Sequence, residues 1–157
     1  MNAQAKLNKK NDCEFRIIGR VAAPKSFNIE TLHGMDPVES GDLPLNCGSG
    51  EPKGRLGHCR GVLLSDIINK TDVLINDHND TKKMFIIASS NDGYKTIFSW
   101  QEIFNTSVGD GVMVLFEKDG KPLHNSTGPV DLLSAKDYLS GPRYVKQLTC
   151  IEIIMVE

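Results

Sequence analysis

Short runs of apolar and β-branched residues, separated by turn residues, recur along this chain and restrict it to a sheet-rich fold. Residues 84–89 (MFIIAS) and 94–98 (YKTIF) flank the turn SNDG at 90–93, a pattern typical of a β-hairpin. Residues 112–117 (VMVLFE) precede a second Asp-Gly turn, and residues 144–156 form a long final run that alternates at its centre. These runs predict buried strands joined by tight turns.

Three short stretches carry helix signals instead. Residues Ile29–His33 follow Asn28, a favourable N-cap, and residues 62–69 place their apolar side chains on one helical face. Ser99 and Glu102 have the spacing of a capping box. Further strands are expected at 13–21, 43–46 and 130–134. With six to eight strands and about three short helices, the predicted fold class is a β-rich α+β domain.

The totals fit one globular domain with no nucleic-acid surface. A polar, Lys/Asn-rich stretch over 1–12 predicts a disordered tail, and residues 13–157 are predicted to form a single domain. The net charge of −2 offers no basic footprint, and no apolar run approaches the roughly 20 residues of a membrane span. Without a signal peptide we expect a cytoplasmic protein, or a periplasmic or secreted one if a leader was removed.

One cysteine stands out by its neighbours. Cys47 ends the apolar run 43–46 and is followed by Gly48-Ser49-Gly50. Glycines allow close backbone approach to a ligand and let N–H groups converge on an anion, while a thiolate suits a soft metal, nucleophilic chemistry or redox chemistry. The alternative is a loop thiol without a role, or one that pairs with Cys59 in a disulfide.

The residues after Cys47 predict a long basic loop. Residues 48–61 hold five glycines together with the basic side chains Lys53, Arg55, His58 and Arg60. Loops of this length inside a compact domain are usually functional or disordered, so this one is either an anion-binding loop or a solvated excursion. The spacing of a P-loop is missing.

In this order along the chain, the motifs resemble the molybdopterin-binding domain of the sulfite oxidase family, over residues 14–154. The residues that carry the resemblance are Gly19 and Val21, Phe27 and Leu32, Cys47-Gly48, Gly61-Val62-Leu63-Leu64, Asp66-Ile67-Ile68, Asp92-Gly93-Tyr94, Asp119-Gly120-Lys121-Pro122-Leu123, Gly128-Pro129 and Arg143-Tyr144-Val145-Lys146. The resemblance implies a mixed, sandwich-like sheet that holds molybdenum through the dithiolene of a pterin and one cysteine, and that transfers oxygen atoms.

By position, the resemblance implies a role for each of six residues. Cys47 would be the molybdenum ligand and, with Gly48, part of the cofactor site. Tyr94 would be the catalytic tyrosine that donates a hydrogen bond to a substrate oxyanion. The remaining cofactor contacts would be Asp92, Arg143 and Lys146.

The chain also departs from the family pattern. The histidine and arginine that flank the family's Gly-Pro segment are replaced by Ser126 and Asp131, and an aspartate would repel a phosphate. Each matched residue, moreover, has a structural interpretation: an aromatic packing residue at 94, a turn aspartate at 92, and cations on a strand edge at 143 and 146.

Two functions therefore remain open from the sequence. The first is a molybdopterin-dependent oxidoreductase domain, for oxygen-atom or electron transfer, with a protein partner that accepts electrons or completes the cofactor site. The second is a cofactor-free binding module that keeps the fold and acts through a protein partner, with Cys47 vestigial or redox-sensing.

Overall fold

The structure is a computed structural model and describes residues 14–46, 52–123 and 129–157. The predicted tail, Cys47, Gly48 and Ser126 lie outside these ranges. The strands are β1 Phe15–Gly19, β2 Lys25–Phe27, β3 Val38–Ser40, β4 Pro44–Asn46, β5 Pro52–Arg55, β6 Cys59–Leu63, β7 Met84–Ser90, β8 Lys95–Ser99, β9 Val112–Lys118, β10 Lys121–Pro122, β11 Val130–Ser134 and β12 Val145–Met155. The α-helices are α1 Ile29–His33, α2 Leu64–Ile68 and α3 Trp100–Asn105, and short 3-10 helices cover Asp80–Lys83 and Ser107–Gly111.

One mixed sheet of ten strands contains most of these elements, and β12 is its centre. The main path runs β2-β1-β12-β11-β9-β6-β3, with β7 and β8 attached through β12 and β10 attached to β9. β1 is parallel to β12, whereas β7 and β11 are antiparallel to it. The hairpin of β4 and β5 is a separate small sheet. The α+β class predicted from the sequence is therefore observed.

The main core lies between one face of the sheet and the three helices. The helices contribute buried apolar residues to it, among them Leu32, Ile67 and Ile103, while alternate residues of the strands contribute the rest. A second, smaller cluster lies on the opposite face of β6, β9 and β11 and is formed by Leu56, Cys59, Met113, Leu115 and Leu133. β9 is buried on both faces for this reason.

The predicted local signals of helices and hairpins are confirmed. Asn28 and Thr31 form a reciprocal capping box at α1, and Ser99 and Glu102 form one at α3. β7 and β8 pair as the hairpin expected around the Asp-Gly turn. Within the described ranges, no helix is long and apolar enough to cross a membrane.

The predicted long loop over 48–61 is wrong, because its described part contains β5 and β6. β6 lies between β3 and β9 inside the main sheet. Its sequence CRGVL shows no clear alternation, and Gly61 coincides with a register shift against β9. β3 and β2 are two further strands that the sequence analysis does not predict. These strands form through pairing with distant partners rather than through local propensity.

Gly61 offers a test of the β6–β9 pairing. A Cβ atom at this position would lie 2.1 Å from the carbonyl oxygen of Val114, which is backbone and cannot move aside cheaply. We expect Gly61→Ala to lower the free energy of unfolding by about 1–3 kcal/mol in chemical denaturation, the usual cost of overpacking. Gly41→Ala is the matched control, since nothing lies within 4 Å of its added Cβ; equal stability of the two variants would contradict the close approach.

Candidate functional site

The hairpin that leads to Cys47 is fixed to the rest of the fold at its base. Asn46 of β4 pairs with Pro52 of β5, and the residues between them lie outside the described ranges. The Ser140 hydroxyl donates a hydrogen bond of 3.0 Å to the Pro44 carbonyl, and the Leu56 N–H donates one of 2.9 Å to the Leu43 carbonyl. The hairpin is thus attached to the segment 135–144, which connects β11 to β12.

The turn between β7 and β8 is attached to the same segment. The Asp92 carboxylate accepts hydrogen bonds from the Ser90 hydroxyl and, at 3.1 Å, from the Tyr94 N–H, and these contacts hold its pKa below the usual range. The Tyr94 hydroxyl donates to the Pro142 carbonyl. The phenolic proton of Tyr94, which the sequence assigns to a substrate, therefore already has an acceptor inside the protein.

Arg143 makes four hydrogen bonds and one contact with an aromatic ring in this region. Its guanidinium donates two hydrogen bonds of 2.7 Å to the Asp137 carboxylate and one of 3.0 Å to Glu102. A fourth, of 3.2 Å, goes to the Ile97 carbonyl, and the guanidinium carbon lies 4.3 Å from the centre of the Phe98 ring. Hydrogen bonds to Asp137 in particular raise the pKa of Arg143. The side chain joins the segment 135–144 to β8 and α3.

Asp131, which the resemblance aligns with an arginine, holds β12 through hydrogen bonds. Its carboxylate is 2% exposed and accepts hydrogen bonds from the Tyr144 hydroxyl at 2.5 Å and from the Gln147 N–H at 2.9 Å. Gln147 has a φ of 53°, a left-handed conformation that is unusual outside glycine. Its carbonyl accepts from the Asn91 N–H at 3.1 Å, which connects Asp131 to the β7–β8 turn.

The structure therefore brings together most of the matched residues that it describes. Asp92, Tyr94 and Arg143 lie around the segment 135–144, to which the hairpin leading to Cys47 is also bonded. Lys146 is exposed at the start of β12. Of their partners, Asp137 and Ser140 carry no signal in the sequence, Tyr144 belongs to a motif of the resemblance without an assigned role, and the capping-box spacing of Glu102 indicates a different contact.

Three of the basic residues in the predicted loop, Arg55, His58 and Arg60, are paired with acidic ones. Their shortest contacts are Arg55 to Asp42 at 2.8 Å, His58 to Glu39 at 3.5 Å and Arg60 to Glu117 at 3.9 Å. Two of these acidic residues belong to strands of the main sheet and one to the approach to β4. These three side chains therefore already have acidic partners within the protein.

Cys59 has the character of a core residue. It is a free thiol with no exposed surface, and burial raises its pKa. Its sulfur lies 3.7 Å from the Leu56 carbonyl oxygen. Among the described residues, no three His, Cys, Asp or Glu side chains are grouped as metal ligands. Cys47, the one residue that the resemblance assigns to the metal, lies outside the described ranges, and of the described cations Arg55 and Arg143 are already paired with carboxylates.

A cleft of about 460 Å³ lies elsewhere, between the C-terminal ends of α1 and α2. Its lining residues are Gly34, Met35, Asp36, Asp66, Asn69 and Lys70. None of the residues matched to the family site lines it.

Comparison with solved structures shows what kind of fold this is. The chain is similar to the crystal structure of the sulfane dehydrogenase SoxCD from Paracoccus pantotrophus, with a TM-score of 0.67 and 17% sequence identity. The match covers 92% of this chain but only 38% of that chain. Comparison with protein-family models and with curated proteins found no match. At this identity the similarity shows the fold alone, because one fold serves many functions.

Arg143 tests whether the network around the segment 135–144 supports the fold. Its side chain is 20% exposed and that of Asp137 13% exposed, so removal of the cation leaves a largely buried carboxylate unpaired. We expect Arg143→Ala to lower the free energy of unfolding by about 2–4 kcal/mol, and Arg143→Lys to recover little, because an ammonium cannot reproduce the bidentate geometry.

The control for this variant is Arg55→Ala, which breaks the exposed pair with Asp42. Exposed ion pairs contribute little, so this variant should unfold at nearly the same denaturant concentration as the wild type. An Arg143→Ala protein as stable as Arg55→Ala would contradict the structural role of Arg143.

Tyr144 predicts a loss of stability at alkaline pH. Burial, with Asp131 and Cys59 nearby, raises its pKa well above the ordinary value. Above pH of about 10, the unfolded chain releases this proton while the folded chain retains it, so the unfolded state binds fewer protons and the free energy of unfolding falls. The expected slope from this group is up to about 1.4 kcal/mol per pH unit.

Denaturation between neutral pH and pH of about 11 measures this slope. Tyr144→Phe should make the alkaline slope shallower, whereas Tyr138→Phe, which alters a fully exposed ring, should leave it unchanged. The same slope in all three proteins would rule out a titration of Tyr144 linked to folding.

Proposed function

We propose that this chain is a protein-binding module built on a fold that oxidoreductases also use. The observation that carries the proposal is the engagement of the matched residues in internal contacts. The Tyr94 hydroxyl donates to the Pro142 carbonyl, and the guanidinium of Arg143 donates to Asp137 and Glu102. The Asp131 carboxylate accepts from the N–H of Gln147, the residue at which β12 is interrupted by a left-handed backbone.

Recruiting these groups to a cofactor would break contacts that they make within the protein, and the loss would matter most at Arg143. To bind a phosphate, Arg143 would have to leave Asp137, which would leave a carboxylate of low exposure unpaired. To bind a substrate oxygen, the Tyr94 hydroxyl would have to release the Pro142 carbonyl. Satisfied polar networks of this kind specify a unique structure, and they supply no free donor to a ligand.

A second candidate is the molybdopterin-dependent oxidoreductase that the sequence motifs imply. The similarity to the fold of SoxCD, which is named as a sulfane dehydrogenase, favours it. Cys47 and Gly48 would then hold a cofactor that supplies oxygen-atom or electron transfer, and a partner protein would provide the missing phosphate contacts. In this alternative Tyr94 and Asp92 would act as positioning residues for the hairpin and the turn.

Molybdenum content per chain separates the two functions. The full chain is purified from a molybdate-fed host that makes the cofactor, and metal is measured by elemental mass spectrometry. We expect far less than one molybdenum per chain, at the same level in wild type and in Cys47→Ser. The matched control is Cys150→Ser, which changes a second free thiol that is partly exposed on β12.

The opposite result identifies the second candidate. Molybdenum close to one per chain in the wild type and in Cys150→Ser, together with its loss in Cys47→Ser, would replace the binding module with a metalloenzyme. Pterin fluorescence after acid oxidation provides an independent readout of the same cofactor.

A further inference from the structure

One half of the main sheet has an outward face with an unusual composition. The register aligns β1, β12, β7 and β8 side by side, so that residues of the four strands form rows across the sheet. One row reads Arg16, Cys150, Ser89, Lys95; the next reads Ile18, Glu152, Ile87, Ile97; a third contains Ile154, Phe85 and Ser99. We call the side chains of these three rows the open face.

The side chains of the open face point away from the main core. In β7 the buried and partly exposed residues alternate strictly, with Met84, Ile86 and Ala88 in the core. The members of the open face are all partly or fully exposed. Ile97, on the outermost of the four strands, is 58% exposed.

The composition of the open face does not suit permanent contact with water. The solvent face of an antiparallel sheet normally carries polar residues, so that apolar and polar residues alternate cleanly along each strand. Here the outward positions of the second and third rows carry five large apolar residues: Ile18, Ile87, Ile97, Phe85 and Ile154. Ile97 is 58% exposed and the other four are partly exposed, so they form one partly accessible apolar patch, a feature found at interaction sites.

Three charges give the open face a definite pattern. Arg16 and Lys95 stand at the two ends of the first row, and Glu152 lies between them in the second. At about 4.8 Å per strand, the two cations are attached to backbones about 14 Å apart. Within the described part of the chain, none of the three forms an ion pair within 4.0 Å. A complementary partner would carry a negative charge opposite Arg16, a positive charge opposite Glu152 and a negative charge opposite Lys95.

The size of the open face indicates a single element as occupant. Four strands at about 4.8 Å and five residues at about 3.4 Å give roughly 300–400 Å². A stable protein–protein interface buries about 800 Å² on each partner, roughly twice the area of the open face. The open face alone is therefore too small to hold a second globular copy. An α-helix, about 10 Å in diameter, covers such an area with one apolar stripe.

We propose that the open face binds an amphipathic helix of a protein partner. Its apolar stripe packs on the isoleucines. Acidic residues about eleven positions apart, which is three turns or about 16 Å, lie on the same side of the helix and face Arg16 and Lys95, and a basic residue between them faces Glu152. An anionic membrane would place its lipid headgroups against Glu152, which disfavours that occupant. The inference rests on the proposed binding function and gives it a partner class.

The test is a selection of helical peptides that bind the full chain. A displayed library of amphipathic helical peptides of about 20 residues is panned on the wild type, and the peptide recovered is titrated by fluorescence anisotropy. We expect enriched peptides to carry an apolar stripe with acidic, basic and acidic residues in this order. Ile97→Lys should weaken binding at least about tenfold, because it places a cation in the apolar row.

Two further variants make the readout specific. Ile75→Lys is the matched control, since Ile75 is also an exposed isoleucine, at 44%, but lies in the loop before the 3-10 helix Asp80–Lys83; it should bind like the wild type. Lys95→Glu should weaken the selected peptide and restore binding to a peptide whose facing acidic residue is changed to lysine. Circular dichroism shows which variants are folded, and Lys95→Glu carries the test if Ile97→Lys is not.

Three results would overturn the inference. Equal enrichment of the same peptides on Ile97→Lys would place binding elsewhere. A concentration-dependent dimer in sedimentation that Ile97→Lys abolishes would make a second copy the occupant, and binding to phosphatidylserine vesicles that Ile97→Lys abolishes would make it a membrane. Molybdenum bound through Cys47 would refute the proposed function without changing any of these readouts, so the two failures are distinguishable.

Discussion

The interruption of β12 at Gln147 is the constraint on which the rest of the structure depends. β12 pairs with β11 at Val145 and Leu148, on both sides of Gln147, and with β1 from Cys150 onward. β7 pairs with β12 from Leu148 onward, with a register shift before Cys150. The left-handed backbone at Gln147 costs free energy, and hydrogen bonds from its N–H to Asp131 and from Asn91 to its carbonyl offset this cost. β12 can therefore join two halves of the sheet, one with β6, β9 and β11 and one with β1, β7 and β8, whose outer faces are covered differently.

The difference between the two half-sheets separates the two surfaces of functional interest. Around β6, β9 and β11, the face away from the helices is covered by the small hairpin and the segment 135–144, and polar groups there are satisfied internally. Around β1, β7 and β8, the corresponding face remains partly exposed although it is rich in isoleucine. The first surface explains how the region resembling a cofactor site is held together, and the second explains how the chain would recognise a protein.

The candidate site shows why residue matches alone do not assign a function. The resemblance gives roles to Tyr94, Asp92 and Arg143, and the fold is similar to that of a sulfane dehydrogenase structure. Their hydrogen-bond partners nevertheless decide what each can do. Asp137 and Pro142 supply those partners, and nothing in the spacing of the sequence indicates that they face Arg143 and Tyr94. A polar group is available to a ligand only where its hydrogen bonds are not already made within the protein, and only the packed structure shows which groups those are.

The sequence by itself determined the local elements: the N-cap at Asn28, the capping box at Ser99, Asp-Gly hairpins, and the strands β7, β9, β11 and β12. Each depends on contacts between residues close in the chain, which residue type and periodicity encode. The tertiary structure alone decided the placement of β3 and β6, the roles of Asp131 and Arg143, and the open face. These depend on pairing and on burial between distant residues, where neighbouring strands and opposite charges outweigh local preference.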